Sequence, residues 1–263
     1  MPQPDTSTVG APCWAEIYTS DQARARTFYG ELFGWESTEP DAEFGGYLTF
    51  TMDGKAVAGC MQSTPEAGGA ADVWALYLRS KDAQATTDAV AARGGTVLYP
   101  PMPVGELGTM AVFTDPQGAP ISAWQPQMHQ GFGVVAEFRA PAWFELHTRN
   151  YEDAVTFYRE AFGWETETVS DVPGFRYTVA KAGEEQIAGV MDASDFLPEG
   201  APAQWSIYFA VEDIHATIAK AVELGATVLE PAEDTPYGLL ARLADPSGSQ
   251  FKLQSPSPEA PEA

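Results

Sequence analysis

The sequence predicts an α+β protein built as a tandem repeat: two halves, each a doubled unit of strand, helix and three strands. Three observations predict it. The halves match each other at a nearly constant offset of 129 to 131 residues; apolar residues alternate with period two in short aromatic-rich segments; and helical spacing with capping residues follows the first segment of every unit. In the repeat, Trp14-Ala15-Glu16-Ile17 answers Trp143-Phe144-Glu145-Leu146, and Phe28-Tyr29-Gly30-Glu31-Leu32-Phe33-Gly34-Trp35 answers Phe157-Tyr158-Arg159-Glu160-Ala161-Phe162-Gly163-Trp164. Ala58-Gly59-Cys60-Met61 answers Ala188-Gly189-Val190-Met191, Trp74 and Tyr77 answer Trp205 and Tyr208, and Asp115-Pro116-Gln117-Gly118 answers Asp245-Pro246-Ser247-Gly248. Order and spacing both hold, which excludes chance.

Residues 13–19 and 142–148 alternate and carry aromatics, the pattern of half-buried strands. Helices follow. Asp21 or Ser20 in the first half and Asn150 in the second are the N-caps, and Gly34 and Gly163 supply left-handed ends. Ala25, Phe28, Tyr29, Leu32 and Ala154, Phe157, Tyr158, Ala161 keep helical spacing. A second helix in each half starts at Asp82 or Asp213 and stops at Gly94 or Gly225. The two Asp-Pro-x-Gly tetrapeptides fit type I turns leading into final strands at 119–125 and 249–254. The division expected is a disordered N-terminus at 1–10, domains at 11–126 and 141–254, a linker at 127–140, and a Pro-rich disordered tail at 255–263.

Charge narrows the function. With 14 Lys+Arg against 37 Asp+Glu the net charge is −23, and both halves share it: residues 1–130 carry 6 basic and 15 acidic groups, residues 131–263 carry 8 and 22. Nucleic acid and anionic membranes demand clustered cations, so neither is an expected partner. No stretch approaches the roughly 18 apolar residues of a membrane span, and Met1-Pro2-Gln3-Pro4-Asp5 lacks the marks of a leader, so a cytoplasmic protein is expected. Cys13 and Cys60 are too few for a disulfide framework and are read as free thiols. No nucleotide-binding glycine fingerprint or nucleophile elbow stands in a suitable strand–helix context.

Four βαβββ units in tandem pairs, with Phe-Tyr near the first helix end, Phe-Gly-Trp after it and Asp-Pro-x-Gly before the last strand, resemble the vicinal oxygen chelate superfamily. Its members include glyoxalase I, extradiol dioxygenases and bleomycin-resistance proteins. The chain looks most like tandem actinobacterial members opening with Trp-x-Glu-Leu, some of them linked to secondary metabolism. The resemblance implies that each pair of units curls its sheet into a cup, with a metal held by residues of the first and last strands. Counted from the helix-starting and turn residues, the implied ligand positions are Trp14, Ala75 and Ser122 in one half and Trp143, Ser206 and Lys252 in the other. None is a customary donor. Cys60, Gln62 and Gln186 are the coordinating residues on the remaining strand, and a divalent ion with open positions needs about three imidazole or carboxylate donors. No metal and no other cofactor is therefore expected, although a shifted site using Glu16, or Glu145 with His147, stays open.

If the implied ligand positions face the cavity, strand period two places Trp14, Glu16, Tyr18, Ala75, Tyr77, Arg79, Ser122 and Trp124 in the first cup. The second receives Trp143, Glu145, His147, Ser206, Tyr208, Gln250, Lys252 and Gln254. The alternate set, including Ala15, Ile17, Leu76, Leu78, Phe144, Leu146, Ile207 and Phe209, is apolar and suits packing under the helices; a slip of one residue would bury both glutamates in the core. Glu16, Glu145, His147 and Lys252 are the candidate catalytic groups, a buried Glu beside an indole being expected to have a raised pKa. Trp14, Tyr18, Tyr77, Arg79, Ser122, Trp124, Trp143, Ser206 and Tyr208 are the candidate ligand contacts, with Glu16 and Arg79 able to orient a ligand or pair with each other. Trp14 and Trp143 alternatively plug the vacated metal position. The expected partner is an apolar or aromatic small molecule bound without metal, by a monomer or a homodimer. The alternative is a lyase or isomerase that moves a proton with a cavity glutamate.

Overall fold

A computed structural model describes residues 7–63 and 72–256. The first half runs β1 (Pro12–Thr19), α1 (Gln22–Phe33), β2 (Glu36–Ser37), β3 (Leu48–Met52), β4 (Lys55–Gln62), β5 (Val73–Arg79), α2 (Ala83–Ala92), β6 (Thr96–Val104), β7 (Gly108–Thr114) and β8 (Pro120–Pro126). The second repeats it: β9 (Pro141–Thr148), α3 (Tyr151–Phe162), β10 (Glu165–Val172), β11 (Phe175–Ala182), β12 (Glu185–Asp192), β13 (Gln204–Ala210), α4 (Ile214–Glu223), β14 (Thr227–Thr235), β15 (Gly238–Ala244) and β16 (Gln250–Ser255). Each half forms its own eight-stranded sheet, in the orders β2-β3-β4-β1-β5-β8-β7-β6 and β10-β11-β12-β9-β13-β16-β15-β14. The opening strands of the two units, β1 with β5 and β9 with β13, pair antiparallel at the centre of each sheet.

The caps follow the sequence with one departure. The Asp21, Asp82 and Asp213 carboxylates accept from backbone N–H groups of the first helical turn, and Gly34 and Gly163 adopt positive φ of 71° and 74°. Asn150 holds the N-cap position but makes no side-chain cap bond; its amide donates to Gln117 Oε1 of the other half. Glu152 and Asp153 in the first turn favour that helix end through the dipole.

The helices cover one face of each sheet and are themselves covered by the other half. Phe33 of α1 packs 5.2 Å from Phe209 of β13, and Phe28 lies 6.2 Å from Phe251 of β16, so a single apolar core runs through both halves. Two reciprocal hydrogen bonds cross it. Tyr29 donates to Asp245 Oδ2 at 3.0 Å and Tyr158 to Asp115 Oδ2 at 3.2 Å. The other oxygen of each aspartate accepts backbone N–H groups of its own Asp-Pro-x-Gly turn. Each turn thus also fastens the opposite half, because an aspartate that caps a turn still has an acceptor to spare.

Residues 7–10, expected to be disordered, are part of the structure. Gly10 is buried, donates from N to Arg79 O at 2.8 Å, and accepts from the Trp164 indole at 2.8 Å. Its φ of +83° and the closeness of the Trp164 ring leave no room for a side chain. Residues 1–6 and 257–263 of the expected terminal segments lie outside the described residues, while Ser255 ends β16, paired with Leu239.

Candidate active site in the second cup

The period-two assignment places the expected side chains on the concave faces: Ala15, Ile17, Leu76, Leu78, Phe144, Leu146, Ile207 and Phe209 lie in the helix-covered core, whereas Cys13, Trp14, Tyr77 and Trp124 form a separate cluster. Each concave face centres on one buried glutamate with tyrosines around it. In the first cup Tyr77 donates to Glu16 Oε1 in a short hydrogen bond, Tyr18 and Tyr47 lie close enough to steady its charged form, and the Trp14 indole donates to the Tyr47 hydroxyl at 2.9 Å. In the second, Tyr177 donates to Glu145 Oε2 at 2.7 Å, Tyr208 to Oε1 at 2.6 Å, and the Trp143 indole to the Tyr177 hydroxyl at 2.9 Å.

Tyr47 and Tyr177 are site residues that the period-two reading of the flanking strands missed. They reach the glutamates from the residue just before β3 and from β11, passing over Gly59 and Gly189, the strand partners of Glu16 and Glu145. A Cβ on Gly189 would stand 2.6 Å from Tyr177 Cζ and overlap its hydroxyl, and the same holds at Gly59 for Tyr47. The repeated Ala-Gly-x-Met segment and the pair Tyr47/Tyr177, at the same offset, were the signals that could have found them.

The cups then diverge. Tyr18 of the first corresponds to His147 in the second, and Ser122 to Lys252. His147 Nε2 lies 2.6 Å from Glu145 Oε1, while Lys252 Nζ donates to the Tyr208 hydroxyl at 2.7 Å and lies 3.4 Å from His147 Nε2 and 3.9 Å from Glu145 Oε1. Their protonation follows. Burial pushes Glu16 above the usual carboxylate range, and the hydrogen bonds from Tyr77, Tyr18 and Tyr47 only partly oppose it. Burial acts on Glu145 in the same way but is outweighed by His147, then Lys252 and Tyr208, which hold its carboxyl down at about 2. The raised pKa expected of a glutamate beside an indole therefore describes Glu16 and not Glu145, because the second cup sets His147, Lys252 and Tyr208 against its carboxylate. Burial lowers His147, with Lys252 acting in the same direction and Glu145 against it. Burial also lowers Lys252.

The first cup is occupied by the chain itself. The connecting segment 127–140, expected as a linker between halves, folds over it. His129 meets the Trp14 ring edge-on at 4.5 Å, Phe132 packs at 5.6 Å from the same ring, and Trp124 donates its indole N–H to His129 O at 2.9 Å. Arg79 does not pair with Glu16; both its terminal nitrogens grip Gln130, on O and on Oε1, each at 3.0 Å. Gly131, at φ +104°, lies against the Cys13 carbonyl where no side chain fits. Trp14, Tyr77, Ser122 and Trp124 are all buried there, so Trp14 takes the plugging alternative. In the second cup Trp143, Ser206, Lys252 and Gln254 remain partly exposed. An aromatic rim stands around them: Phe175 stacks on Tyr177 at 5.7 Å, the half-exposed Tyr237 lies 6.4 Å from both, and the exposed Phe196 lies 5.9 Å from His147.

A divalent metal does not fit the donor set of either cup. Among the described residues no group of three or more His, Cys, Asp and Glu side chains is placed to hold one. Both Glu145 oxygens already accept from tyrosines, and the Lys252 amine occupies the adjoining position, where a cation would be repelled whenever the amine is charged. Gln62, one of the coordinating candidates, is spent on the start of α1: its Oε1 accepts from Gln22 N and its Nε2 donates to Ser20 O. Cys60 and Cys13 are buried free thiols that burial pushes up to about 12.

Two tandem sheets of paired βαβββ units, each cupped around residues of its central strands, define a glyoxalase-type protein. Residues 13–122 match the family model described as Glyoxalase/Bleomycin resistance protein/Dioxygenase superfamily, and residues 143–254 match the Glyoxalase-like domain. The chain belongs to that superfamily. It is 36% identical over 263 residues to CFP32 of Mycobacterium tuberculosis, which bears the name of a glyoxylase, covering 98% of this chain and 100% of the relative. It is 35% identical to the anthracycline biosynthesis protein DnrV of Streptomyces peucetius, covering 93% and 92%. Among solved structures, the Mn(II)-bound glyoxalase from Novosphingobium aromaticivorans shares the fold with a TM-score of 0.63 at 17% identity, covering 94% of this chain and 82% of that one. The 2,3-dioxygenase LapB from Pseudomonas sp. KL28 does so with 0.63 at 15%, covering 97% and 96%. No helix among the described residues is long and apolar enough to cross a membrane.

Proposed function

We propose that the second cup is the working cavity and that it binds an apolar or aromatic small molecule without a divalent metal, in a biosynthetic role like that named for the anthracycline biosynthesis relatives or a resistance role like that in the family's description. The observation that carries this reading is the filling of the Glu145 coordination sphere by His147, Tyr177 and Tyr208, with Lys252 beside it. An aromatic rim over a polar floor is the lining that flat ligands with one or two polar groups need: rings for area, a few convergent donors for orientation. DnrV, by its name, acts in the making of a polycyclic aromatic product, which supports the same ligand class.

A second reading, a lyase or isomerase, is favoured by the Glu145–His147 contact. With Nε2–H committed to Glu145 Oε1, the imidazole keeps Nδ1 as its basic atom, and the carboxylate stabilises the imidazolium formed when Nδ1 takes a proton. In this reading His147 is the proton-transfer group and Glu145 positions it. A glutamate held near 2 is itself a weak base at neutral pH.

Titration of chelator-treated protein with a polycyclic aromatic quinone, followed by tryptophan fluorescence, tests the proposal. Saturable quenching that falls sharply in Trp143→Phe supports it. Binding that appears only after Zn, Ni, Mn or Fe is restored overturns it.

A further inference from the structure

We propose that Lys252 is a nucleophile, adding through Nζ to the carbonyl carbon of an aldehyde or ketone held in the second cup and forming a Schiff base with it. The inference rests on the reading of this cup as a small-molecule site and assigns it a substrate class, carbonyl compounds with an aromatic or apolar body.

Placement argues for it first. The Lys252 side chain is 14% exposed and that of Glu145 9%, so the amine is the more open of the two groups to a molecule in the cup. Its partners argue next. Among the described residues the one carboxylate oxygen within 4 Å is Glu145 Oε1 at 3.9 Å, and that oxygen already receives Tyr208 at 2.6 Å and His147 at 2.6 Å. The amine's shortest bond runs instead to a neutral phenol, Tyr208, at 2.7 Å. The groups facing it are Glu145 and Glu230, which favour its charge, and Arg242 and His147, which oppose it; burial is the largest influence and lowers its pKa. A desolvated lysine that shares its carboxylate partner with two other donors is held less firmly as an ammonium, which is the condition for an activated amine nucleophile.

The same contacts supply the proton path. Addition forms the C–N bond and breaks the C–O π bond. The proton leaving nitrogen passes to the Tyr208 oxygen as the phenolic proton passes to the new alkoxide, giving the neutral carbinolamine, while the Glu145 carboxylate orients the phenol. Loss of that hydroxyl as water, with one solvent proton, leaves the C=N bond as an iminium. Nζ lies 4.7 Å from the Tyr208 ring centroid, where the aromatic face stabilises the cation. The first cup has Ser122 at the equivalent place and cannot do this chemistry.

The test is reductive trapping on the intact chain: benzaldehyde with cyanoborohydride at pH 7, followed by peptide mass mapping. Benzylation of Lys252 at least tenfold faster than that of Lys55, Lys81, Lys181 or Lys220 is expected, with a tenfold slowing at Lys252 alone in Tyr208→Phe. Labelling of Lys252 no faster than the other four lysines overturns the inference. Naphthalene, which has no carbonyl, separates the two ideas. If naphthalene quenches Trp143 while Lys252 stays unlabelled, the nucleophile falls and the binding reading stands; if neither occurs, both fall.

Discussion

Replacing each cup glutamate by glutamine separates the two sites, because the same substitution meets opposite electrostatics. Glu145 is the ionised member of a cluster with His147, Tyr177, Tyr208 and Lys252. A carboxyl that goes from an ordinary 4.5 to about 2 on folding contributes on the order of 3 kcal/mol at neutral pH. Glu145→Gln removes that and turns an amide N–H₂ toward groups that are themselves donors, so a loss of about 3–4 kcal/mol is expected, the range for breaking a buried pair. Glu16 is raised by burial. Its folded form favours the proton, so its contribution is most favourable at low pH and turns against folding as pH climbs above the ordinary carboxylate range. Glutamine imitates the protonated carboxyl that burial favours, and Glu16→Gln is expected to destabilise the chain less than Glu145→Gln does at pH 7, by about 1 kcal/mol or less. The sign for Glu145 is the reverse: its stabilisation is complete above 4.5 and disappears as pH falls toward about 2, so the parent loses stability across that window and Glu145→Gln changes less there. Urea midpoints at fixed m-value, measured from pH 2 to 8, provide the assay. Equal destabilisation by the two substitutions at pH 7 would refute the assignment of opposite shifts to the two glutamates.

Two further substitutions test the frame around the site. Tyr158→Phe removes the donor to Asp115 and leaves the Trp205 indole, now 3.0 Å from the hydroxyl, without its acceptor; a loss of about 1–3 kcal/mol is expected, with one unfolding transition for the whole chain because the halves share a core. Two separated transitions would contradict the shared core. Gly189→Ala drives a methyl into Tyr177 and is expected to cost about 1–3 kcal/mol with a shift in Trp143 emission, since the indole loses its hydroxyl partner. Unchanged emission and midpoint would show that Tyr177 does not depend on that glycine.

The architecture was legible in the sequence because repetition and alternation are both local signals: the offset near 130 gave the doubling, and the apolar alternate set around Ile17 and Leu146 set the register. Glu145, His147 and Lys252 could be grouped for the same reason, since strand period two places them on one face. Tyr47 and Tyr177 escaped because their approach depends on strand order, with β4 or β12 lying between tyrosine and glutamate and a glycine opening the way. The lowered pKa of Glu145 is not legible in the sequence, because burial beside an indole is local whereas His147 and Lys252 reach the carboxylate from β9 and β16 together. The segment around His129 read as a linker because nothing local in Gly131 or Phe132 tells that the partner surface is a cup. The exchange of Tyr29 and Tyr158 between halves is a tertiary fact with no sequence signature beyond the repeat itself.

The central claim, one metal-free ligand site per chain and that site in the second cup, is met most directly by native mass spectrometry of chelator-treated protein with a panel of aromatic small molecules. The account predicts a single ligand per chain, retained in Arg79→Ala and lost in Lys252→Met. Two ligands per chain, or adducts that form only when a divalent metal is present at one per chain, would contradict it.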